Sequence, residues 1–263
     1  MSYQLIKCMN DDTWNEFVKT SPQSNLFCQT NFLDACQQDY DLLLVTKGEL
    51  ILSGIAIIKG DDGVPVKDQF MYQGVLFSKY IESLSSHKKI KKALELTQFL
   101  LIELESIYGV VSLSLHHSLD DLRGFQWYNY HNSKGLQPRL DLHYTGVLDL
   151  KKNGNFEQIL MNARTVRRQE YKKCIKNGFI VEVSNDASVL NFLHNKTFQR
   201  QGLERSKSEV FLATELARES LKKGIGRLLI CRNNEGVPTS ACLFLFDDKT
   251  GYYLIGANDP DYR

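Results

Sequence analysis

Apolar residues recur at helical spacing in several stretches of this 263-residue chain, and β-rich runs broken by turn residues lie between them. Asp11–Thr13 predicts the cap of a first helix, with Trp14, Phe17 and Val18 turned inward and Ser21-Pro22 as its end. A second, short helix is expected from Thr30 through Phe32, Leu33 and Cys36. Asp41–Lys47 and Leu50–Lys59 read as strands joined in a hairpin at Gly48-Glu49. Asp61-Asp62-Gly63 is a turn, and Gln69–Phe77 reads as a third strand. From His87 to Tyr108 the positions Ile90, Ala93, Leu94, Leu96, Thr97, Leu100, Leu101 and Leu104 keep a helical period. Strands are expected at Val110–Leu115 and Tyr144–Asp149.

The order then repeats. A helix over Asn155–Asn177 meets Gly178, a residue suited to the position just past a helix end. A strand at Phe179–Val183, helices near Ala187–Arg200 and Ser208–Lys223, and strands at Arg227–Arg232, Thr239–Phe246 and Gly251–Ala257 follow. Each half reads helix, helix, three-stranded antiparallel meander, a structural repeat without evident sequence identity. The expected fold class is α/β (α+β): two domains, 1–150 and 151–263, each a mostly antiparallel sheet flanked by helices. The first meander is followed by a long helix and a further strand, whereas the chain stops at Asp259–Arg263 after the second. That ending gives the expectation that the second domain is truncated.

Composition narrows the class. The chain is 43% hydrophobic and 24% charged, ordinary for a folded globular protein. Its apolar runs fall far short of the ~18 residues of a membrane-spanning helix, and the N-terminus lacks the basic and apolar regions of a secretory signal. A soluble, cytoplasmic protein is expected. Six scattered cysteines without a CxxC read as reduced thiols, mostly core fillers, and nothing has metal-ligand spacing. His116-His117 follows an apolar run, and adjacent strand residues point to opposite faces, which makes a poor chelate. The net charge of +1 divides unevenly. Residues 1–150 hold 13 Lys and Arg against 18 Asp and Glu, a net of −5, and residues 151–263 hold 19 against 13, a net of +6. The second half therefore suits an anionic ligand but lacks the strong basicity of a dedicated nucleic-acid binder.

Two stretches carry candidate chemistry. On a helix through Asn155–Asn177, Phe156, Leu160, Ala163, Arg167, Tyr171 and Cys174 share one stripe. Arg167 then sits within an apolar face, and a buried guanidinium needs a carboxylate, carbonyls or a bound anion. Arg164, Arg168 and Lys172 follow one flank at i, i+4 and i+8. An internal Asp or Glu partner, or a snorkelling stem, is the structural alternative to anion binding. In QFMYQGVLF, Gly74 within a strand pattern suggests a bulge or close backbone approach beside the Tyr72 phenol. Tyr72, Gln73 and Gly74 are candidate substrate-binding residues, and a core strand with a structural glycine is the alternative.

SNLFCQTNFLDAC, MYQGVLF, TGVLDL, RTVRRQEYKKCIKNGFIVEV, FQRQG and the closing GRLLICRNNEGVPTSACLFLFDDKTGYYLIGANDPDYR stand in an order that spans nearly the whole chain. Together they resemble the FemAB-like branch of the GNAT acyltransferase superfamily, including BioF2-like and cellulose-biosynthesis-type acetyltransferases. The arginine helix is similar to the pattern R-x-x-R-R-x-I-x-K-A-x-K-x-G, with Glu170, Lys173 and Cys174 as local departures. The resemblance implies two tandem GNAT-like domains with a substrate cleft between them. It implies N-acyl transfer to an amino sugar, nucleotide sugar or peptidoglycan precursor in cell-envelope polysaccharide synthesis. Arg164, Arg167, Arg168 and Lys172 would meet the acceptor's phosphates, and acyl-CoA is the expected donor, with no metal. The coenzyme A loop of the second domain would begin around Arg263. Some relatives use aminoacyl-tRNA instead, a donor that the modest +6 ranks last.

No nucleophile-histidine arrangement of recognised spacing is present, so direct attack by a bound amine is the simpler scheme. Tyr253 is the candidate acid for the leaving group and Asp259 the candidate relay for the acceptor's proton, with an oxyanion donor expected from the backbone of Tyr252–Asn258. Of Tyr252 and Tyr253, one is expected in the core and one exposed. The alternative from another class is a non-catalytic nucleotide-sugar or anion-binding module on a degenerate acyltransferase fold.

Overall fold

Apolar residues on both sides of the first hairpin demand cover on both faces of a sheet, and the fold supplies it. The computed structural model describes residues 2–66, 71–132 and 135–262. The chain divides into two compact units, Met1–Asp141 and Leu142–Arg263.

The first unit is built on an antiparallel sheet of order β1-β2-β3-β4, with β1 at Gln4–Lys7, β2 at Tyr40–Lys47, β3 at Leu50–Ile58 and β4 at Leu76–Phe77. The β2–β3 hairpin closes at Lys47↔Leu50, with Gly48 at positive φ as its turn requires. Helices α1 (Asp11–Thr20) and α2 (Thr30–Ala35) bury Trp14, Phe17, Val18, Phe32 and Leu33. Phe17 lies against Gly54 of β3, where a Cβ would come within 2.6 Å of its Cε1. A short α3 (Lys79–Glu82) leads into the 23-residue α4 (Ser86–Tyr108), then α5 (Arg123–Gln126). The face formed by Leu43, Val45, Ile55, Ile57 and Phe77 packs on Leu96, Leu100, Leu101 and Leu104 of α4. Both faces of this sheet are therefore covered.

The second unit repeats the plan. Its antiparallel sheet runs β5-β6-β7-β8, with β5 at Ile180–Ser184, β6 at Gly226–Arg232, β7 at Pro238–Phe246 and β8 at Gly251–Asn258. Before β5 come α6 (Phe156–Asn162) and α7 (Thr165–Lys176). Between β5 and β6 lie α8 (Ala187–Arg200), α9 (Lys207–Phe211), a wider π-helical turn over Leu212–Leu216, and α10 (Ala217–Lys222). One face of the sheet (Leu228, Ile230, Ala241, Leu243, Ile255, Ala257) is buried. The opposite face leaves Val181, Val183 and Tyr253 each more than half exposed.

The expected repeat is present, with corrections. β1 lacks a sequence signal, because Gln4–Lys7 is a mostly exposed edge strand. Asn10, not Asp11–Thr13, caps α1, its side chain accepting from Thr13 N–H at 2.8 Å. Of the strand expected at Gln69–Phe77, only Leu76–Phe77 pairs with β3, while Gln69 and Phe70 lie outside the described residues. Val110–Leu115 is extended rather than a strand. Its Val111, Leu113 and Leu115 alternate into the core, so its pattern reflects burial and not a ladder. Tyr144–Asp149 is exposed and unpaired among the described residues. The helix expected at Asn155–Asn177 is two, broken where Ala163 and Arg164 turn extended (ψ 152° and 142°). Arg168 Nη1 reaches back to Met161 O at 2.5 Å and satisfies a carbonyl of the interrupted α6. Gly178 ends α7 as expected, with Gly178 N–H on Ile175 O and Phe179 N–H on Cys174 O.

Candidate functional site

Within the first unit, β4 and the extended residues 111–116 approach each other and then part. The contact is close at Ser114, whose carbonyl accepts from Gly74 N–H at 2.9 Å and whose Oγ accepts from Tyr72 N–H at 3.3 Å. A Cβ on Gly74 would stand 2.5 Å from Leu115 Cδ2 and 3.1 Å from Ser114 O, so only glycine permits this approach. Three residues later Phe77 N–H, at the strand's outer edge, is given to the side chain of Gln23 instead, with Oε1 at 2.9 Å. Gln23 is buried, and its Oε1 also accepts from Ser21 Oγ at 3.3 Å. The loop after α1 thus inserts an amide where a neighbouring strand would pair, and a wedge opens.

Phe77 and Ser118 both line the resulting cleft of about 210 Å³. Ile81, Ile90, Ala93 and Leu119 give it an apolar floor, and Glu82, Lys89, Asp120 and Asp121 give it a charged rim. Ile90, read from its period as a core position, is 40% exposed because it faces this opening. Glu82 is paired with Lys89 at 2.8 Å and Asp121 with Arg123 at 2.6 Å. Asp120 is the rim carboxylate without an ion-pair partner among the described residues.

At the closed end of the wedge Tyr72 adopts φ 60°, a strained conformation for a residue with a side chain. Cys28 Sγ donates to its carbonyl at 3.1 Å, and its ring lies 4.7 Å from His116 and 5.7 Å from His117. The two imidazoles are 4.2 Å apart. They gather because the chain turns at His117-Ser118, which removes the strand geometry that would have sent them to opposite faces. Ser118 N–H donates to His116 Nδ1 at 3.2 Å, so this nitrogen is an acceptor. Burial, then the neighbouring His117, lowers the His116 pKa to about 4. Gln73 is buried beside this cluster in sequence. No group of three or more potential metal ligands exists among the described residues. Burial pushes the Cys28 thiol up to about 12, which suits a core filler rather than a nucleophile.

In the second unit β8 carries the two residues expected to do catalysis. Tyr252 is buried and Tyr253 is 61% exposed, the division expected of neighbours on a strand. The register of β7 and β8 slips between Leu243 and Phe244, and the Tyr253 ring stacks edge-on against Phe244 at 5.6 Å. Its hydroxyl lies over Gly256, where any Cβ would collide with it. Burial, then the adjacent Cys242, raises its pKa. Asp259 is almost wholly buried, with Oδ2 2.5 Å from Lys196 Nζ and Oδ1 accepting from Asp261 N–H at 3.2 Å. Lys196 holds this carboxyl below its usual range. The backbone of Asn258, expected to lie open for an oxyanion, is bonded through both N–H and carbonyl to Thr197 Oγ1.

The arginine helix differs most from expectation. Arg167 does not lie in a buried apolar face: its side chain is 74% exposed and pairs with Glu170 at 2.7 Å on the surface of α7. The break at Ala163-Arg164 takes Phe156 and Leu160 out of phase with Arg167, Tyr171 and Cys174, so the continuous stripe does not form. Arg164 precedes the first turn of α7, and Arg168 is spent on Met161 O and on Thr165 Oγ1 at 3.2 Å. Lys172 is exposed. Sequence reasoning missed Gln23 and Asp120, for which the only signal is position: a glutamine just after a helix-ending Ser-Pro, and an Asp-Asp pair after the double histidine.

No protein-family model matches the sequence, and no curated protein matches it. Among solved structures, the chain is similar to FemX, with a TM-score of 0.62 and 13% identity over 100% of this chain and 82% of that one. A tandem GNAT protein from the clavulanic acid biosynthesis pathway matches with a TM-score of 0.46 and 8% identity, over 100% of this chain and 81% of that one. The likeness to FemX shows that this chain shares its fold, and the fold alone. No helix among the described residues is long and apolar enough to cross a membrane.

Proposed function

We propose that this chain is an N-acyltransferase, moving an acyl group from acyl-CoA to the amino group of an amino sugar or peptidoglycan precursor. The wedge that Gln23 holds open beside β4 carries this reading. A cleft of about 210 Å³ is smaller than a pocket for a whole drug-sized ligand, so it suits the reacting ends only: a short acyl group and an amine. Phe77, Ile81, Ile90 and Leu119 offer the acyl chain an apolar floor. Asp120 attracts the acceptor while it is still an ammonium ion. After losing that proton to solvent, the amine nitrogen attacks the thioester carbonyl. The C–S bond then breaks, and the proton that the attacking nitrogen gives up passes through solvent to the thiolate, leaving an amide and free coenzyme A.

Tyr72, Gln73 and Gly74 do not line the cleft, and we assign them to holding its closed end, through the contacts of Tyr72 and Gly74 with Ser114, rather than to touching substrate. We assign Tyr253 no role at this cleft, because the cleft belongs to the first unit and Tyr253 to the second. We do not assign Asp259 the acceptor's proton, because its pairing with Lys196 stabilises the carboxylate and makes it a weak base.

The test is incubation of the full chain with a panel of acyl-CoAs and charged tRNAs, each with UDP- and dTDP-amino sugars, read by mass spectrometry. Thiol release in step with an N-acylated product supports the reading. Product from charged tRNA alone would replace the donor. Amino-sugar binding without product from any donor would overturn transfer and leave a binding module.

A further inference from the structure

Acyl transfer in the cleft needs a hydrogen-bond donor for the carbonyl oxygen, which gains negative charge as the amine attacks. The backbone of Asn258, within the stretch where the sequence places that donor, is bonded to Thr197 Oγ1. The cleft itself contains another donor. Gln23 lines it and is only 6% exposed. Phe77 N–H can donate to an amide oxygen but not to an amide nitrogen, so its 2.9 Å bond to Oε1 fixes the orientation of the Gln23 amide. Ser21 Oγ, 3.3 Å from the same oxygen, agrees with that orientation. The Nε2 group, with two N–H donors, has no hydrogen-bond partner among the described residues, and it is not sealed away from solvent.

The other polar side chains of the cleft offer no equivalent. Glu82, Asp120 and Asp121 are carboxylates, which only accept. Lys89 is tied to Glu82 at the rim. Ser118 Oγ lies 2.8 Å from His116 Nδ1, the nitrogen that also accepts the Ser118 N–H, so the hydroxyl proton is spent there. Gln23 Nε2 is therefore a donor fixed before substrate arrives, beside apolar side chains that strengthen its pull on developing charge. We propose that Gln23 is a catalytic residue whose Nε2 donates to the carbonyl oxygen of the bound thioester. The inference rests on the acyl-transfer reading and adds a group to it. The lone pair of the attacking nitrogen forms the C–N bond, and the carbonyl π pair moves onto oxygen, where the Nε2 N–H stabilises it. That pair returns to carbon as the C–S pair leaves on sulfur, so Gln23 gives up no proton.

Gln23→Glu tests this role apart from the support of β4, because it keeps an oxygen for Phe77 N–H and replaces the donor with an acceptor. With the acyl-CoA and amino sugar that give product, the variant should lose about a hundredfold or more in kcat while KM changes little. Infrared difference spectra give a readout that needs no turnover. They use the acyl-CoA that gives product, or acetyl-CoA where none does, labelled with carbon-13 at the thioester carbonyl. On binding to the parent the carbonyl stretch should move to lower frequency, and on binding to Gln23→Glu it should not. Equal kcat in a folded Gln23→Glu variant would overturn the proposal and leave acyl transfer standing. Absence of product from any donor, with a carbonyl shift that Gln23→Glu abolishes, would keep the donor role and remove transfer. Should Gln23→Glu fail to fold, the parent decides: an unshifted carbonyl, or no binding of the labelled thioester, overturns the proposal.

Discussion

Replacing Gln23 with alanine tests the wedge directly. Its Oε1 accepts the Phe77 N–H at 2.9 Å in a buried position, and its own N–H is held by Ser21 Oγ at 3.1 Å. The Gln23→Ala change removes the acceptor and leaves a buried backbone donor without a partner, at a cost of about 1–3 kcal/mol. If water enters the vacated space the loss falls to the lower end of that range. Urea unfolding measures it, with buried Trp14 as the fluorescent reporter of the first unit. Amide exchange at Phe77 supplies the local readout, because its N–H should lose protection while that of Ser78, bonded to Leu52 O at 3.0 Å, keeps it. Gln23→Glu retains an acceptor oxygen and should preserve the Phe77 protection. An unchanged urea midpoint together with a Phe77 amide as protected as in the parent would refute the claim that Gln23 props the strand.

Three further outcomes are expected. Asp120→Asn should raise the KM for the amine acceptor severalfold and leave kcat nearly unchanged, since the carboxylate is assigned to binding alone; a steady-state series in acceptor concentration reads this. His116 has a folded pKa of about 4 against 6.5 for the unfolded chain, so its stabilising contribution is full above pH 6.5 and is lost as pH falls from there toward 4. His116→Gln should therefore flatten the melting-temperature profile in that window. The lower acid limb should remain: burial raises the Asp41 pKa, but Lys7, Tyr108 and Lys59 outweigh it and hold the carboxyl low, so its contribution disappears only below the ordinary carboxylate range. Gly54→Ala should destabilise the first unit by about 1–3 kcal/mol by forcing Phe17 aside. Gly146→Ala, with no atom within 4 Å of the added carbon, should be neutral in the same denaturation assay.

Strongly periodic segments were legible because their pattern and their burial have the same cause. The 23-residue α4 and the β2–β3 hairpin carry long apolar repeats that pack on each other, so the pattern alone locates them. β1 is four residues long and mostly exposed, so burial leaves no mark on its sequence. The alternation at 111–115 is equally real, but it records side chains entering a core while the backbone makes too few bonds for a ladder. Of the site, Gly74 was legible because close approach demands glycine there. Gln23 was not: its importance lies in one side-chain bond to a residue 54 positions away, and no local pattern encodes that pairing.

Arg167 shows the limit of reasoning from a helical wheel. A wheel fixes directions around one axis and presumes that the axis continues. Two extended residues at Ala163-Arg164 change the axis, after which Phe156 and Leu160 no longer report which side of α7 faces inward. The argument that a buried guanidinium needs an anion stays sound, but its premise fails, since an exposed Arg167 paired with Glu170 contributes only about 0.3–0.5 kcal/mol to the helix. Whatever anion meets this helix must therefore be met at the surface by several cations at once. That requirement disfavours a single phosphate bound in a dry pocket.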